Sequence, residues 1–385
     1  MKKTSLLAAG ALAASSIVAF GGPANAESGP LDYDCTITHM SVVNDTDAPP
    51  EMLVGSTPVP VHLTSTATVP STVMSLIALL YPGATSVVGT GSAVGVLEGP
   101  APFPTQTLTT PLDIPSTALT DTGDLVLKTV GTSGDFAPPL PGLYAIKAGN
   151  FSANLVFGAL SGVIGSPLPV SCTPPTGADT TIDTIKGVVP TTTALSALPT
   201  SEDYGQKTTA TATVTSSNPL PVGGPAGNVV FKVGSRSVTV PLQADGTATA
   251  ILPKVAAGKT YDVKASYQSA ADSFYQSTSS DAQDLKVVQD GTRTSVAAPT
   301  IKRRHAEVAT IKVRSTHGAT VVGKVRATLK KGTRTLKART VSLRSGAVKV
   351  NFGKLRKKGN YTVVAKYLGN QNFKAATGKD AFKVR

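Results

Sequence analysis

Two segments of the chain, about 100 residues apart, carry the same spacing of valine, leucine, glycine and tyrosine. The run Val-Pro-Leu-Gln-Ala-Asp-Gly that begins at Val240 recurs as Val-Ser-Leu-Arg-Ser-Gly at Val341. Likewise, the Tyr-x-Val-x-Ala-x-Tyr pattern at Tyr261 recurs at Tyr361. A repeat of this length, rich in strand-forming residues, has the size of an immunoglobulin-type β-sandwich. The second half of the sequence therefore predicts two tandem sandwiches.

Composition extends the β prediction to the whole chain, which has 36 glycines and 28 prolines among 385 residues and no long segment of helical periodicity. Such a composition favours short strands joined by turns. One short helix over residues 73–80 is an alternative to a strand, and the glycine-rich segment 89–95 is typical of a flexible hairpin or loop. We predict an all-β fold, with an N-terminal β-sandwich-like domain followed by two tandem Ig-like β-sandwiches.

Pro- and Gly-rich breaks suggest where the domains meet. One break follows residue 172 and a second lies near residue 290. We predict a signal peptide over 1–26, an N-terminal all-β domain over 27–175, a linker over 176–193, a first Ig-like domain over 194–289 and a basic second Ig-like domain over 290–385.

The first residues have the pattern of a secretory signal. Lys2 and Lys3 precede an uncharged stretch over 5–20, and an Ala-Asn-Ala cleavage motif ends at Ala26. The alternative is an uncleaved membrane anchor, but Gly-Gly-Pro at 21–23 breaks a helix where a span would continue. We expect cleavage after Ala26, no transmembrane segment afterwards, and a protein that is secreted, extracellular or wall-associated. No Leu-Pro-x-Thr-Gly motif is present, so we expect any surface attachment to be non-covalent.

The two cysteines fit an oxidising compartment. Cys35 and Cys172 bracket a segment of domain size, and exported chains commonly form disulfides. Two free thiols are the alternative, because two thiols alone do not make a metal site. We predict a Cys35–Cys172 disulfide, which would stabilise the domain by about 5 kcal/mol in the chain-entropy model.

The repeated motifs also resemble a known family. Gly-x-Val, then Val-x-Leu-x-x-x-Gly-x-Ala, then Lys-x-x-x-Gly-x-Tyr-x-Val-x-Ala-x-Tyr resembles the bacterial Ig-like repeat of exported surface proteins of actinobacteria and other Gram-positives, over residues 191–288 and 292–385. The resemblance places Tyr261 and Tyr361 at a structural corner position, where the hydroxyl bonds nearby backbone. The Leu-Asp-Tyr-Asp-Cys opening that ends at Cys35, with Cys172, resembles an uncharacterised domain of secreted actinobacterial proteins with no known activity.

Charge is divided very unevenly along the chain. Residues 291–385 hold 24 of the 36 Lys and Arg residues but only two of the 23 Asp and Glu residues, Glu307 and Asp380. That segment therefore carries +22, against −9 for the rest. In Ile311-Lys-Val-Arg314, period-two alternation directs apolar side chains to one face of a strand and cations to the other. The expected anion-binding surface comprises Lys302, Arg303, Arg304, Lys312, Arg314, Lys324, Arg326, Lys330, Lys331, Lys349, Lys354, Arg356, Lys357, Lys358 and Lys366.

A module with this charge repels itself and would be relieved by a polyanion. Solubility alone is the competing explanation, but the sister repeat has nearly balanced charge. We expect anionic cell-wall polymers or other polyanions as partners of a monomeric protein. Specific nucleic-acid recognition is disfavoured, because bases stack on exposed aromatic rings, whereas Phe352, Tyr361, Tyr367 and Phe373 recur at core positions of the repeat.

Motifs for catalysis are missing from the sequence. His39, His62, His305 and His317 have no metal-ligand spacing; the first two suit strand positions and the others a solvated surface. No Gly-x-Ser-x-Gly elbow occurs. An Asp-Thr-Asp loop ending at Asp47 suits solvated turn residues better than calcium. We predict no catalytic residues, no cofactor and no metal.

Two alternatives to wall binding stay open. One is adhesion to host or neighbouring cells. The other is a carbohydrate-active or hydrolytic N-terminal domain with accessory Ig-like modules, which requires two carboxylates across a cleft. The carboxylates available for that role are Asp32, Asp34, Asp45, Asp47, Glu51, Glu98, Asp113, Asp121, Asp124 and Asp135.

Overall fold

The computed structural model describes residues 28–119, 123–159, 162–216 and 223–385. The predicted signal peptide and its cleavage site lie outside the described residues. The chain divides into two compact units, Met1–Val188 and Val189–Arg385. Strands dominate both units, which confirms the predicted all-β fold.

The first unit contains eleven strands and one helix within its described residues. They are β1 (Leu31–Cys35), β2 (His39–Thr46), β3 (Glu51–Leu53), β4 (Val59–Val69), α1 (Ser71–Leu80), β5 (Ser86–Glu98), β6 (Gln106–Ala118), β7 (Leu125–Phe136), β8 (Gly142–Lys147), β9 (Phe151–Ala159), β10 (Gly162–Thr173) and β11 (Thr181–Val188).

The sheet of the first unit closes on itself. Its strands follow the order β5-β6-β7-β4-β2-β1-β10-β9, and β9 pairs back with β5, so eight antiparallel strands form a ring. Strands β8, β11 and β3 extend from the far half of β5. Where the sequence predicted a β-sandwich-like domain, the structure has a closed sheet, which leaves the eight ring strands without a free edge.

The glycine-rich segment 89–95 lies inside strand β5 and is not the flexible loop that its composition suggested. It pairs with β6 on one side and with β9 on the other. A Cβ atom on Gly91 would lie 2.3 Å from the carbonyl oxygen of Ser152. Glycine is needed here because the neighbouring backbone approaches too closely for a side chain.

The predicted disulfide is present and closes the ring between β1 and β10. Cys35 and Cys172 are directly opposite each other in the antiparallel pairing of these strands, and their sulfur atoms are bonded. Both residues are buried and belong to the same hydrophobic core as Tyr33 and Phe157. The sequence separation that they bridge is 137 residues.

The segment predicted as a linker, 176–193, is mostly β structure. Strand β11 pairs with β8 and β3, and Ile182, Ile185 and Val188 are buried. The Pro-Pro-Thr-Gly sequence before it forms a turn within the unit. The prolines at 174 and 175 end strand β10, and the isoleucines at 182 and 185 mark the buried strand that follows.

A short helix occupies the uncharged stretch for which the sequence left a choice. Helix α1 spans Ser71–Leu80 and buries Val73 and Ile77. Its ten residues give a length of about 15 Å. None of the helices in the described residues has the length and hydropathy of a membrane span.

The second unit contains two β-sandwiches in sequence. The first Ig-like module comprises β12 (Thr192–Leu195), β13 (Ser201–Asp203), β14 (Thr209–Thr215), β15 (Gly227–Val233), β16 (Arg236–Pro241), β17 (Thr247–Ile251), β18 (Lys259–Ser269) and β19 (Gln283–Val288). The second Ig-like module comprises β20 (Thr292–Ala297), β21 (Ala306–Ser315), β22 (Lys324–Lys331), β23 (Arg334–Ser342), β24 (Ala347–Lys354), β25 (Gly359–Tyr367) and β26 (Ala376–Val384).

The two modules share one topology. In the first, sheet β12-β14-β17 faces sheet β13-β19-β18-β15-β16; in the second, sheet β20-β21-β24 faces sheet β23-β22-β25-β26. The short parallel pairing of β13 with β19 corresponds to a single parallel bridge between Ile301 and Val384. Period-two alternation buries Ile311 and Val313 of β21 and exposes Lys312 and Arg314, as predicted.

Candidate functional site

Four segments of the second Ig-like module meet at one end of its sandwich. They are residues 300–305 before β21, the β22–β23 turn at 331–334, the β24–β25 loop at 354–358, and residues 383–385 at the end of β26. We call these segments together the cationic end. Strand register brings them together, since Ala306 pairs with Lys354 and Gly359 pairs with Val384.

Backbone hydrogen bonds join three of these segments. The amide of Arg304 donates to the carbonyl of Leu355 at 2.7 Å, and the amide of Leu355 donates to the carbonyl of His305 at 3.1 Å. The amide of Arg303 donates to the carbonyl of Arg385 at 2.9 Å. Arg304 adopts a positive φ of 68° to make this connection. The cationic end is therefore an ordered surface with a fixed backbone.

The turn and the long loop are joined through Lys331. Its Nζ donates to the carbonyl of Lys358 at 2.9 Å and lies 5.3 Å from the centroid of the Tyr361 ring. The hydroxyl of Tyr361 in turn donates to the carbonyl of Lys357 at 2.6 Å. The equivalent Tyr261 donates to the carbonyl of Ala256 at 2.8 Å in the first module. Both tyrosines thus bond the backbone just ahead of their own strand.

Eleven cationic side chains and no carboxylate side chain belong to the four segments. All of them are exposed except Lys331, which is half-buried. They are Lys302, Arg303, Arg304, Lys331, Arg334, Lys354, Arg356, Lys357, Lys358, Lys383 and Arg385. Eight of them belong to the surface predicted from sequence.

The other seven predicted cations lie on the two outer sheet faces. Lys324, Arg326, Lys330 and Lys366 follow the outer face of the four-stranded sheet, and Lys312, Arg314 and Lys349 follow that of the three-stranded sheet. Like charges stand directly opposite each other on both faces, in the pairs Arg326–Lys366 and Arg293–Arg314. Such pairs destabilise a sheet. The fifteen predicted residues therefore do not form one face, and the densest group is the cationic end.

Sequence patterning could not place residues 334–339. They form the first part of β23, an edge strand whose pairing with β22 shifts between Leu329 and Lys330. Because of this shift, Lys337 lies opposite the buried Leu329, whereas Thr335 lies opposite Lys330 on the outer face of the sheet. Nζ of Lys337 donates to the carbonyl of Phe352 at 2.7 Å. An irregular register of this kind leaves no mark in a period-two pattern.

Neither of the two carboxylates of the second Ig-like module, Glu307 and Asp380, forms an ion pair with a Lys or Arg among the described residues. Glu307 is 0% exposed, and the amide of Ala298 donates to Oδ2 of Asp380 at 2.8 Å. Burial, together with the negative charge of Asp380, raises the pKa of Glu307 from 4.5 to about 7. Among the described residues, no ion pair engages a Lys or Arg of residues 291–385.

Two of the four histidines lie in strands of the first unit, and two lie outside the strands in the second Ig-like module. His39 begins β2 and His62 lies in β4, where its Nδ1 is 2.6 Å from Oδ2 of Asp47. His305 is exposed at the cationic end. His317, which the sequence assigned to a solvated surface, instead has its Nδ1 2.9 Å from Oδ1 of Asp290. Nothing in the local sequence marks this pair, because 27 residues separate its members.

Four of the carboxylates proposed for a hydrolytic cleft can be described by their partners or by their strand positions. Glu98 forms an ion pair with Lys147 at 2.6 Å, and Oδ1 of Asp124 accepts a hydrogen bond from the amide of Ser71. Asp32 and Asp113 occupy outward-facing strand positions. Asp121 lies outside the described residues. Within the described residues, the one group of three potential metal ligands lies in the second unit.

Comparison with protein families accounts for parts of both units. Residues 195–288 match the model of the bacterial Ig-like domain (group 3). Residues 32–183 match a family of unknown function, DUF6801. Neither match spans half of the chain. No curated protein sequence matches it.

Solved structures are similar only at low identity. The fibronectin(III)-like modules of Clostridium thermocellum CbhA are 15% identical, with 50% of this chain and 93% of that chain covered and a TM-score of 0.20. A Ca²⁺-stabilised adhesin of an Antarctic bacterium is 10% identical, with 88% and 97% covered and a TM-score of 0.23. The D0-D1 domain of Intimin is 18% identical, with 50% and 97% covered and a TM-score of 0.18. Likeness at this level carries no statement about function.

Proposed function

We propose that this chain is a secreted, non-enzymatic surface protein whose second Ig-like module binds anionic cell-wall polymers through the cationic end. One observation carries the proposal: eleven Lys and Arg residues and no carboxylate side chain belong to the four segments of the cationic end, three of which are joined by backbone hydrogen bonds. In this arrangement the 27–175 region is the outer domain, the first Ig-like module is a spacer, and the protein acts as a monomer.

Binding would follow the physics of a polyelectrolyte. Each phosphate or carboxylate of the polymer that a cation neutralises releases a condensed counterion, so affinity falls steeply with salt. Arg303, Arg304 and Arg356 offer forked donors suited to phosphate, and the lysines add point charges. Because the backbone is already ordered, little conformational entropy is lost on binding.

The aromatic side chains support an unspecific polyanion over a base-reading site. Phe352, Tyr367 and Phe373 are buried in the core of the module, together with most of Tyr361. Bases of single-stranded nucleic acid are recognised by stacking on exposed aromatic rings. The cationic end has charge and hydrogen-bond donors, but these four rings are turned inward.

The test compares two variants with the same loss of charge. The first carries Lys302→Gln, Arg303→Gln, Lys357→Gln and Lys358→Gln at the cationic end. The second carries Arg293→Gln, Lys312→Gln, Arg314→Gln and Lys349→Gln on the outer face of the three-stranded sheet. Affinity for poly(glycerol phosphate) is measured from 50 to 500 mM NaCl.

We expect the cationic-end variant to lose affinity at least tenfold and to show a shallower dependence on salt. The control variant should lose far less, since it leaves the cationic end unchanged. Equal losses in both variants would mean that net charge alone, and not a site, governs binding. Absence of binding by the unaltered protein at 50 mM NaCl would refute the proposal.

Retention on cells gives the second readout. Cultures are separated into medium, salt wash and cell pellet. We expect the unaltered protein in the salt wash and the cationic-end variant in the medium. A variant that stays with the pellet would show that attachment depends on another part of the chain.

A further inference from the structure

Three side chains with metal-ligating groups meet between the two Ig-like modules of the second unit. Asp203 ends β13 of the first module, and His317 lies in the β21–β22 loop of the second. Asp290 lies in the connection between β19 and β20. One ligand atom from each lies within 4.8 Å of the others. The three residues come from different parts of the chain.

The geometry centres on the imidazole of His317. Its Nδ1 is 2.9 Å from Oδ1 of Asp290 and 4.0 Å from Oδ2 of Asp203. The backbone amide of His317 donates to the second oxygen of Asp290 at 3.3 Å. The Asp290 side chain is 0% exposed, while those of His317 and Asp203 are 30% and 37% exposed. One buried ligand and two accessible ones leave a route for an ion.

Charge balance at this position calls for a cation. A buried carboxylate is stabilised by hydrogen-bond donors or by a cation, because the cost of removing it from water is large. Within the described residues, no Lys or Arg forms an ion pair with Asp290 or Asp203. A protonated imidazole would balance one of the two carboxylates. A divalent ion would balance both and would bind a neutral imidazole.

The surrounding contacts hold the three residues in place. The amide of Asp290 donates to the carbonyl of Asn372 at 3.0 Å, and the amide of Lys374 donates to the carbonyl of Asp290 at 2.9 Å. Tyr204 packs edge-on against Phe373, with ring centroids 5.2 Å apart. A Cβ atom on Gly205 would lie 2.9 Å from Cβ of Ala319, so the modules approach closely beside Asp203.

We propose that Asp203, Asp290 and His317 form a binding site for a divalent transition-metal ion of the Zn²⁺ class. Nδ1 of His317 and one oxygen from each aspartate supply three ligands, and water completes a tetrahedral set. A nitrogen ligand and a small number of oxygens suit Zn²⁺ better than Ca²⁺, which takes six to eight oxygen ligands. The ion would link the first module to the second and restrict bending at their connection.

The test uses the full chain and Co²⁺ as a spectroscopic probe for Zn²⁺. Co²⁺ is titrated into the unaltered protein and into Asp203→Asn and His317→Gln, whose side chains are partly exposed and so leave the core intact. His305→Gln and Asp262→Asn serve as controls, because both residues are exposed and lie elsewhere in the unit. Visible absorption reports coordination, and Zn²⁺, Ca²⁺ and Mg²⁺ are added as competitors.

We expect the unaltered protein and both controls to bind one Co²⁺ per chain, with displacement by Zn²⁺ but not by Ca²⁺ or Mg²⁺. Asp203→Asn and His317→Gln should each weaken Co²⁺ binding at least tenfold. Zn²⁺ should raise the unfolding temperature of the unaltered protein but not that of these two variants. Binding of equal strength in His317→Gln, or no binding by the unaltered protein, would show that Asp203, Asp290 and His317 do not form a metal site.

Discussion

The hydroxyl of Tyr361 donates a 2.6 Å hydrogen bond to the carbonyl of Lys357, and so joins the core of the second Ig-like module to the loop that carries four of the eleven cations of the cationic end. The same ring lies beneath Nζ of Lys331. A residue that the repeat identifies as structural is therefore also in contact with the candidate site.

Replacing Tyr361 with phenylalanine tests that connection. The Tyr361→Phe change removes one partly buried hydrogen bond and should destabilise the module by about 0.5 to 1.5 kcal/mol. Because the 354–358 loop would lose a support, affinity for poly(glycerol phosphate) should fall as well. Tyr261→Phe is the matched control: it removes the equivalent bond to Ala256 in the first module. It should reduce stability to a similar extent and leave polymer affinity unchanged. A loss of affinity in both variants would contradict the prediction.

Stability of the second Ig-like module should decline as the pH rises. The pKa of Glu307 is about 7 in the folded module and near 4.5 when unfolded. Between these values the folded state holds a proton that the unfolded state has lost, so this contribution is fully present below about pH 4.5 and disappears as the pH reaches 7. The difference corresponds to about 3 kcal/mol.

The stability of the second Ig-like module is measured by urea unfolding at pH 5, 6, 7 and 8, with hydrogen exchange of the β21 amides as the probe. Glu307→Gln should abolish most of the pH dependence, since a neutral amide does not titrate in this range. Asp262→Asn, a change at an exposed strand position, should retain it. Equal stability of the unaltered module at pH 5 and pH 8 would show that Glu307 is not buried in the manner described.

Removal of the disulfide should affect the first unit alone. The Cys35–Cys172 bond spans 137 residues, and a loop of that length contributes about 5 kcal/mol in the chain-entropy model. The double change Cys35→Ala with Cys172→Ala should lower the unfolding temperature of the first unit in calorimetry, with no shift for the second. Adding a reductant to this variant should have no further effect. A shift in both units would indicate coupling that the bond position does not explain.

The contact between Tyr204 and Phe373 should couple the stabilities of the two Ig-like modules. Their rings meet edge-on, and such pairs are worth about 0.5 to 1.5 kcal/mol beyond area burial. A double-mutant cycle with Tyr204→Leu and Phe373→Leu should give a coupling energy in that range. Tyr204→Phe keeps the ring and should keep the coupling. A coupling energy near zero would mean that the rings touch without stabilising the connection.

Local patterns predicted much of this architecture. The repeat at Tyr261 and Tyr361 indicated two sandwiches, and alternation in Ile311-Lys-Val-Arg314 correctly assigned the faces of β21. Alternation succeeds because consecutive strand residues point to opposite faces whatever the strand pairs with. Strand β11 was missed because its isoleucines follow a Pro-Pro turn, and β5 was missed because its glycines serve close backbone contact.

By itself, the sequence determined that the chain is all-β, that its cysteines pair, and that the second Ig-like module displays its cations outward. These properties depend on residue type and period, which are local. Only the tertiary structure decided that residues 300–305, 331–334, 354–358 and 383–385 share one end, and that Asp290 meets His317. Those meetings depend on the register of long-range strand pairing, since strands far apart in sequence bring distant loops within hydrogen-bond distance.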